Sequence, residues 1–325
     1  MSSSLHSNAS THSKRYKLSP ASSGRLKHEL RWDPPVSDLL HHLRQTATSA
    51  FMFGGLLEDL ARSPHDELRL WRLAAVYDQD EVVAAAAARE TDGFCLLHGT
   101  DSDAVRTLAE QLRSRLAITR LSGEYEVIAE ALESHELGCR VIRDHHEHFM
   151  TLRAFEHQIQ PDGNYRFADE ADIPRLKEYA AGYSAERNVP FRCDWRYMCR
   201  QGRVLVAEAR ADSAAAPVPD AEHNASKRRA GRRPIAACLL QGISFGPYTS
   251  CAGVYTFPEY RGQGYAQQLV ANFCVLAAAA GYDTCLLVDA TNAPAIAAYS
   301  RVGFRIKAAY RDVYLAGGSM RSIPM

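Results

Sequence analysis

The sequence predicts an α/β (α+β) chain of two domains. Its 325 residues suffice for two domains of ordinary size. Helix-like and strand-like segments alternate throughout, and both halves run through a similar coarse order of them. Hydrophobic residues make up 46% and charged residues 23%, the balance of a chain that buries a core.

Residues 1–28 stand apart. They are rich in Ser and carry Lys14, Arg15, Lys17, Arg25 and Lys27, with no acid before Glu29. A disordered tail is the plain reading. An organelle transit peptide shares this basic, acid-poor composition and is the alternative to a cytoplasmic location. The first domain is expected at 29–155. Helices are expected within 36–62, then strand-like LRLWRLAAVY and GFCLLHG. Between them Ala84–Ala88 is ambiguous, because propensity favours helix while the flanking Val82 and Val83 permit a strand. DAVRTLAEQLRSRL and YEVIAEALESHEL read as helices, the first capped by Asp101 or Asp103, and HFMTLRAF as a closing strand.

The second domain is expected at 156–325. NYRFADEADIPRLKEYAAGY reads as strand then helix, and DWRYMCRQ as a short helix. RVLVAEA, PIAACLLQGI and SCAGVYTF read as three strands, the first two separated by a mobile inserted loop at 212–233 made of Pro, Ala and charge. A helix over 264–280 carries Ala266, Leu269, Val270, Phe273, Leu276, Ala277 and Ala280 on one face. The strand TCLLVDAT, a helix capped by Asn292 with Pro294 in its first turn, and two strands, FRIKAAY and VYL, complete the chain.

Several function classes drop out. The formal net charge is zero, which argues against broad electrostatic binding to nucleic acid or membrane. No apolar run approaches the roughly 20 residues of a membrane span. The eight cysteines have no CxxC pair or regular spacing, which suits free thiols better than a disulfide framework or a zinc site. His145, His146 and His148 gather around Glu147, but no second cluster completes a metal site, and none is expected. Cys193 and Cys199 read as packing residues.

VYTFPEYRGQGYA carries the chemistry. A strand, then Arg261-Gly262-Gln263-Gly264, then a helix beginning at Tyr265 and Ala266 is a pattern suited to pyrophosphate. The helix N-terminus supplies unpaired N–H groups and partial positive charge, glycines admit close approach, and Arg adds a fork of donors. A plain strand-to-helix turn remains open. A dinucleotide fingerprint is weaker, because Gln267 stands where its third glycine belongs.

VYTFPEYRGQGYAQQL resembles motif A of the GNAT superfamily of acetyl-CoA-dependent N-acyltransferases, whose Q/R-x-x-G-x-G/A pattern is matched by Arg261, Gly264 and Ala266. LVDATNAPAIAAYSRVGF resembles the companion motif. The resemblance spans roughly 160–325. The first half looks like the diverged N-terminal GNAT-like domain of tandem members and lacks a phosphate loop. The resemblance implies two GNAT-like domains, each a mixed, mostly antiparallel sheet flanked by helices. It further implies that Val254, Tyr255 and Thr256 pair with pantetheine, that N–H groups from Arg261 to Ala266 hold the pyrophosphate, and that Asn292 touches pantetheine. Tyr299 would protonate the departing thiolate. Asn292 as a plain cap and Tyr299 as a core aromatic remain open.

For the general base, Glu208 on RVLVAEA and then Asp289 on CLLVDAT are candidates, since burial raises a carboxyl pKa. The acceptor site is expected around YSAERNVPFRCDW, where Glu186, Arg187, Arg192 and Asp194 offer both charges. The expected activity is acetyl transfer from acetyl-CoA to a primary amine of a small molecule or amino-acid-like acceptor. A peptide N-acetyltransferase and a non-catalytic acyl-CoA-binding scaffold are the alternatives.

Overall fold

The computed structural model describes residues 15–16, 28–44, 50–62, 69–133, 140–154, 159–187, 191, 193–210 and 233–316. Most of the expected N-terminal tail and inserted loop lies outside these residues. The chain divides into two compact units, 1–146 with 310–325, and 147–309. Both crossings fall inside strands, whereas the sequence suggested a boundary at 155/156, where 155–158 lie outside the described residues.

The first unit contains β1 (Arg15–Tyr16), β2 (His28–Trp32), α1 (Val36–Leu43), α2 (Phe51–Arg62), β3 (Trp71–Asp78), β4 (Glu81–Arg89), β5 (Phe94–Gly99), α3 (Ser102–Arg115), β6 (Arg120–Glu124) and α4 (Tyr125–Glu133). It also holds the beginning of β7 (Arg140–Leu152) and the end of β13 (Arg305–Ala316). Strands β1 to β6 lie in chain order, antiparallel except for β5 and β6, and β13 pairs antiparallel with β6.

The alanine run is a strand. Ala84 lies between Val76 and Gly99, and Ala86 between Ala74 and Leu97. Ala84, Ala86 and Ala88 join the core that α3 covers with Ala104, Val105 and Leu108. Pairing on both edges and burial of both faces override helix propensity. Asp101 caps α3 by accepting from the Ala104 N–H at 2.9 Å.

The two strands expected at the C-terminus are one. Arg311 and Asp312 read as an interruption, but each has a cross-strand partner. Asp312 accepts from Arg120 at 2.7 and 2.8 Å, and Arg311 donates to Asp144 at 2.9 and 2.6 Å.

The second unit contains the rest of β7, β8 (Arg166–Phe167), a 3-10 turn (Glu170–Asp172), α5 (Ile173–Arg187), α6 (Trp195–Arg200), β9 (Val204–Glu208), β10 (Ile235–Phe245) and β11 (Tyr248–Thr256). A second 3-10 turn (Pro258–Tyr260), α7 (Tyr265–Ala279), β12 (Asp283–Asp289), α8 (Ala293–Val302) and the start of β13 follow. The strand order is β8-β9-β10-β11-β12-β7, antiparallel except for β11 and β12. The sheet is thus mixed and mostly antiparallel, with helices against it, as the sequence led us to expect. No described helix is long and apolar enough to cross a membrane.

Two irregularities shape this sheet. Parallel pairing of β11 with β12 covers only Tyr248 to Ser250 against Asp283 to Cys285, although both strands run on. On its other edge β11 bulges. Cys238 faces Tyr255 and Leu240 faces Ala252, so two residues oppose the single Leu239. One of them is Gly253, at φ 58°. The Tyr179 hydroxyl of α5 donates to the Gly253 carbonyl at 2.5 Å and stands where a Cβ on Gly253 would go. At the outer edge, Arg166 ties β8 to the first 3-10 turn. It donates to both Asp172 oxygens at 2.6 and 2.9 Å and to Glu208 at 2.7 Å.

Gly253→Ala should destabilise the protein by about 2 kcal/mol or more, since it strains a positive φ and displaces a buried bonded phenol. Urea unfolding checks this. The same titration should give a loss of about 3 kcal/mol for Arg166→Leu, which strands the buried Asp172, against ~1 kcal/mol or less for Glu208→Gln.

Candidate active site

Beyond Thr256 the chain turns through Pro258–Tyr260 into Arg261–Gly264, and α7 starts. Gly262 has φ 75°, and Gly264, the residue that caps α7, has φ 80°. No atom lies within 4 Å of the place a Cβ would take on either. The backbone therefore faces open space at a helix start, where first-turn N–H groups lack intrahelical acceptors and the helix dipole is positive. Side chains at these two positions would strain the turn and crowd that space.

Two arginines flank the loop. Arg261 turns back from it: Nε donates to the Thr256 carbonyl at 3.0 Å, Nη2 pairs with Glu186 on α5, and the guanidinium lies 5.4 Å from the Tyr255 ring centroid. The bond to Glu186 holds the Arg261 pKa above its usual value. Arg210 was not singled out from the sequence. Its N–H donates to the Tyr265 hydroxyl at 2.7 Å, and its guanidinium donates to the Gln263 carbonyl at 3.1 Å and to Asp162 at 3.3 Å. No local signal marks Arg210, because its approach to the loop depends on the order of β9 to β11.

A second group gathers near the free end of β12. Tyr299, on α8, is 8% exposed. Burial pushes its pKa well up, neighbouring Cys251 and Tyr183 add to this, and Arg187 opposes it. Asn292 caps α8, accepting from the Ala295 N–H at 3.2 Å. Asp289 accepts from the Thr291 N–H at 2.7 Å and from Arg187 at 3.1 Å. Arg187 also acts on Tyr183, opposing the rise in its pKa that burial causes. Glu147, on β7, lies opposite Asp289 in the antiparallel ladder, and its charge acts on Tyr183. The sequence drew Glu147 into a histidine cluster; only the β7–β12 register brings it here.

The structure thus gathers Tyr299 and Asp289 around Arg187, and it puts Val254, Tyr255 and Thr256 on the stretch of β11 past its pairing with β12. Glu208 is engaged elsewhere, in the Arg166 network, and shares no described contact with the Tyr299 group. Of the expected acceptor segment, Glu186 and Arg187 hold the partners just named, Asp194 caps α6 through the Tyr197 N–H at 3.0 Å, and Arg192 lies outside the described residues. Tyr179, Tyr183, Phe191 and Trp195 pack together beside it, with ring centroids 5.0–6.2 Å apart. Burial pushes Cys199 up to about 11 and Cys274 up to about 12, so neither offers a thiolate at neutral pH. Among the described residues no group of three His, Cys, Asp or Glu side chains is arranged to hold a metal ion.

Residues 193–304 match the family model described as Acetyltransferase (GNAT) family. A search of curated proteins found no match. Among solved structures, a Drosophila protein aligns at TM-score 0.62 with 15% identity, over 87% of this chain and 96% of its own. A GCN5-related N-acetyltransferase from Sphaerobacter thermophilus aligns at 0.56 with 17% identity, over 90% and 96%. A tandem GNAT protein from the clavulanic acid biosynthesis pathway aligns at 0.53 with 13% identity, over 90% and 100%. At these identities the structural matches speak for the fold alone, and the family model covers residues 193–304. Residues 193–304 thus carry a domain that matches the GNAT acetyltransferase family, and the chain shares the fold of these neighbours.

Proposed function

We propose that the protein transfers an acetyl group from acetyl-CoA to a primary amine of a small, amino-acid-like acceptor, by direct attack of the amine on the thioester. The observation that carries this reading is the parting of β11 from β12 beside a helix start whose two glycines face open space. The residues present fit the co-substrate. An extended arm has the stretch of β11 beyond its pairing with β12 to lie against at Val254–Thr256, and a pyrophosphate has the N–H groups of Arg261–Ala266. Arg261 and Arg210 lie within the loop and beside it, and Asn292 stands at the start of α8.

Bound acetyl-CoA supplies the activated acetyl group; the chain's own residues handle protons and charge. The Tyr299 hydroxyl, kept protonated by burial, gives its proton to the departing sulfur. Asp289, with Glu147 opposite it, takes the proton that the attacking amine must lose. Glu208 is set aside as the base because it sits in the Arg166 network, with no described contact to the Tyr299 group. Two carboxylates and Arg187 in one group suit an acceptor bearing both an ammonium and a carboxylate, which favours an amino-acid-like molecule over a simple amine.

The first unit repeats this topology, with β5 parallel to β6 across α3, pairing only at Phe94–Leu96 with Arg120–Ser122. Its helix start bears Asp101 as cap and Asp103 in the first turn. Those charges repel phosphate, so we read this unit as a diverged GNAT-like domain that does not bind acetyl-CoA.

Arg261→Glu should raise the Kd for acetyl-CoA about tenfold or more, since it reverses a charge at the phosphates. Calorimetric titration reads this directly, and an unchanged Kd removes the loop assignment. Tyr299→Phe should lower kcat about a hundredfold with little change in acetyl-CoA affinity. Because burial raises the Tyr299 pKa, the wild-type rate should show no alkaline fall below about pH 10 from loss of this proton. A steady-state pH profile with an amino-acid acceptor screen tests both; full activity in the Phe variant reassigns the acid.

A further inference from the structure

Arg261 is the cation that the α7 loop itself offers to a pyrophosphate, and its guanidinium is already engaged. Nη2 is held by Glu186, Nε by the Thr256 carbonyl at 3.0 Å, and the Tyr255 hydroxyl lies 3.4 Å from the same Glu186 oxygen. Glu186 is the penultimate residue of α5. The last residue, Arg187, bonds to Asp289 at the end of β12 at 3.1 Å. The final two residues of α5 therefore hold both banks of the parted strands, Glu186 on the β11 side and Arg187 on the β12 side.

Resting on the acetyl-CoA reading of the loop, we propose that Glu186 is an internal counter-anion which the pyrophosphate must displace from Arg261, and so sets the affinity for the co-substrate. Three features support this. The pair is open to solvent, with side chains 46% and 44% exposed, so it is weak enough to exchange. With Nε on a carbonyl and Nη2 on a carboxylate, the guanidinium's charge is already partnered and two of its five donors are taken before a phosphate arrives. Once displaced, Glu186 remains near a dianion and is repelled by it, which lowers affinity further. Glu186 acts through Arg261, and is a positioning residue.

The test is calorimetric titration of the full chain with acetyl-CoA, using wild type, Glu186→Gln, Arg261→Gln and the double variant. Thermal melts confirm that each is folded. Glu186→Gln should lower the acetyl-CoA Kd about two- to fivefold. The gain should shrink at about 0.5 M salt, where screening is short-ranged. It should vanish when Arg261 is already Gln, an outcome that a merely structural effect of Glu186 does not give. If wild type binds and Glu186→Gln binds equally or more weakly, the proposal is overturned while the loop reading stands. A gain that persists without Arg261 overturns it as well. No binding by wild type and Glu186→Gln alike overturns the loop reading and this proposal with it.

Discussion

The early end of pairing between β11 and β12 is the constraint on which the second unit depends. Two parallel neighbours cannot be joined by a tight turn, so α7 must cross between them. Once the ladder stops at Ser250 and Cys285, the facing edges of both strands carry N–H and C=O groups that need other partners. Tyr179 and Arg261 take two of these carbonyls, at Gly253 and Thr256. The bulge at Gly253 re-aims the end of β11, and the loop that follows delivers α7 with its first turn uncovered. Asp289, at the far end of β12, meets Arg187, whose charge acts on Tyr299. The open helix start of α7 and the group around Arg187 thus both follow from one break in one ladder.

The first unit has a similar break without the same helix start. β5 and β6 part after three paired positions, yet Gly123 packs close against the Leu97 carbonyl, and an acidic cap replaces the glycine at the helix start. The parting of parallel strands is repeated and the glycine helix start is not, and function depends on such residues set on a fold. The two units also share strands. β12 takes its antiparallel neighbour from β7, and β6 takes its own from β13, so each unit is completed by chain from the other half of the sequence.

What could be read from sequence was local. Arg261, Gly262 and Gly264 announce a helix start with room for a ligand. Asn292 announces a cap, and the periodicity of Leu269, Val270 and Phe273 announces a buried helix face. Each signal rests on residues a few positions apart. What stayed hidden depends on tertiary pairing. Arg210 reaches the loop through sheet order, Glu147 meets Asp289 through register, and Glu186 meets Arg261 across 75 residues. Glu208 looked like an odd carboxylate on an apolar strand, but its partner Arg166 lies 42 residues away. Arg311 and Asp312 broke the strand pattern for the same reason.

The central claim is that acetyl-CoA lies along the free edge of β11 and on the first turn of α7, in the second unit alone. Amide hydrogen exchange with and without acetyl-CoA tests it most directly. New protection is expected at 251–256 and 262–266, with unchanged exchange at 101–104, the start of α3. Protection at the start of α3, or none at the start of α7, would contradict it.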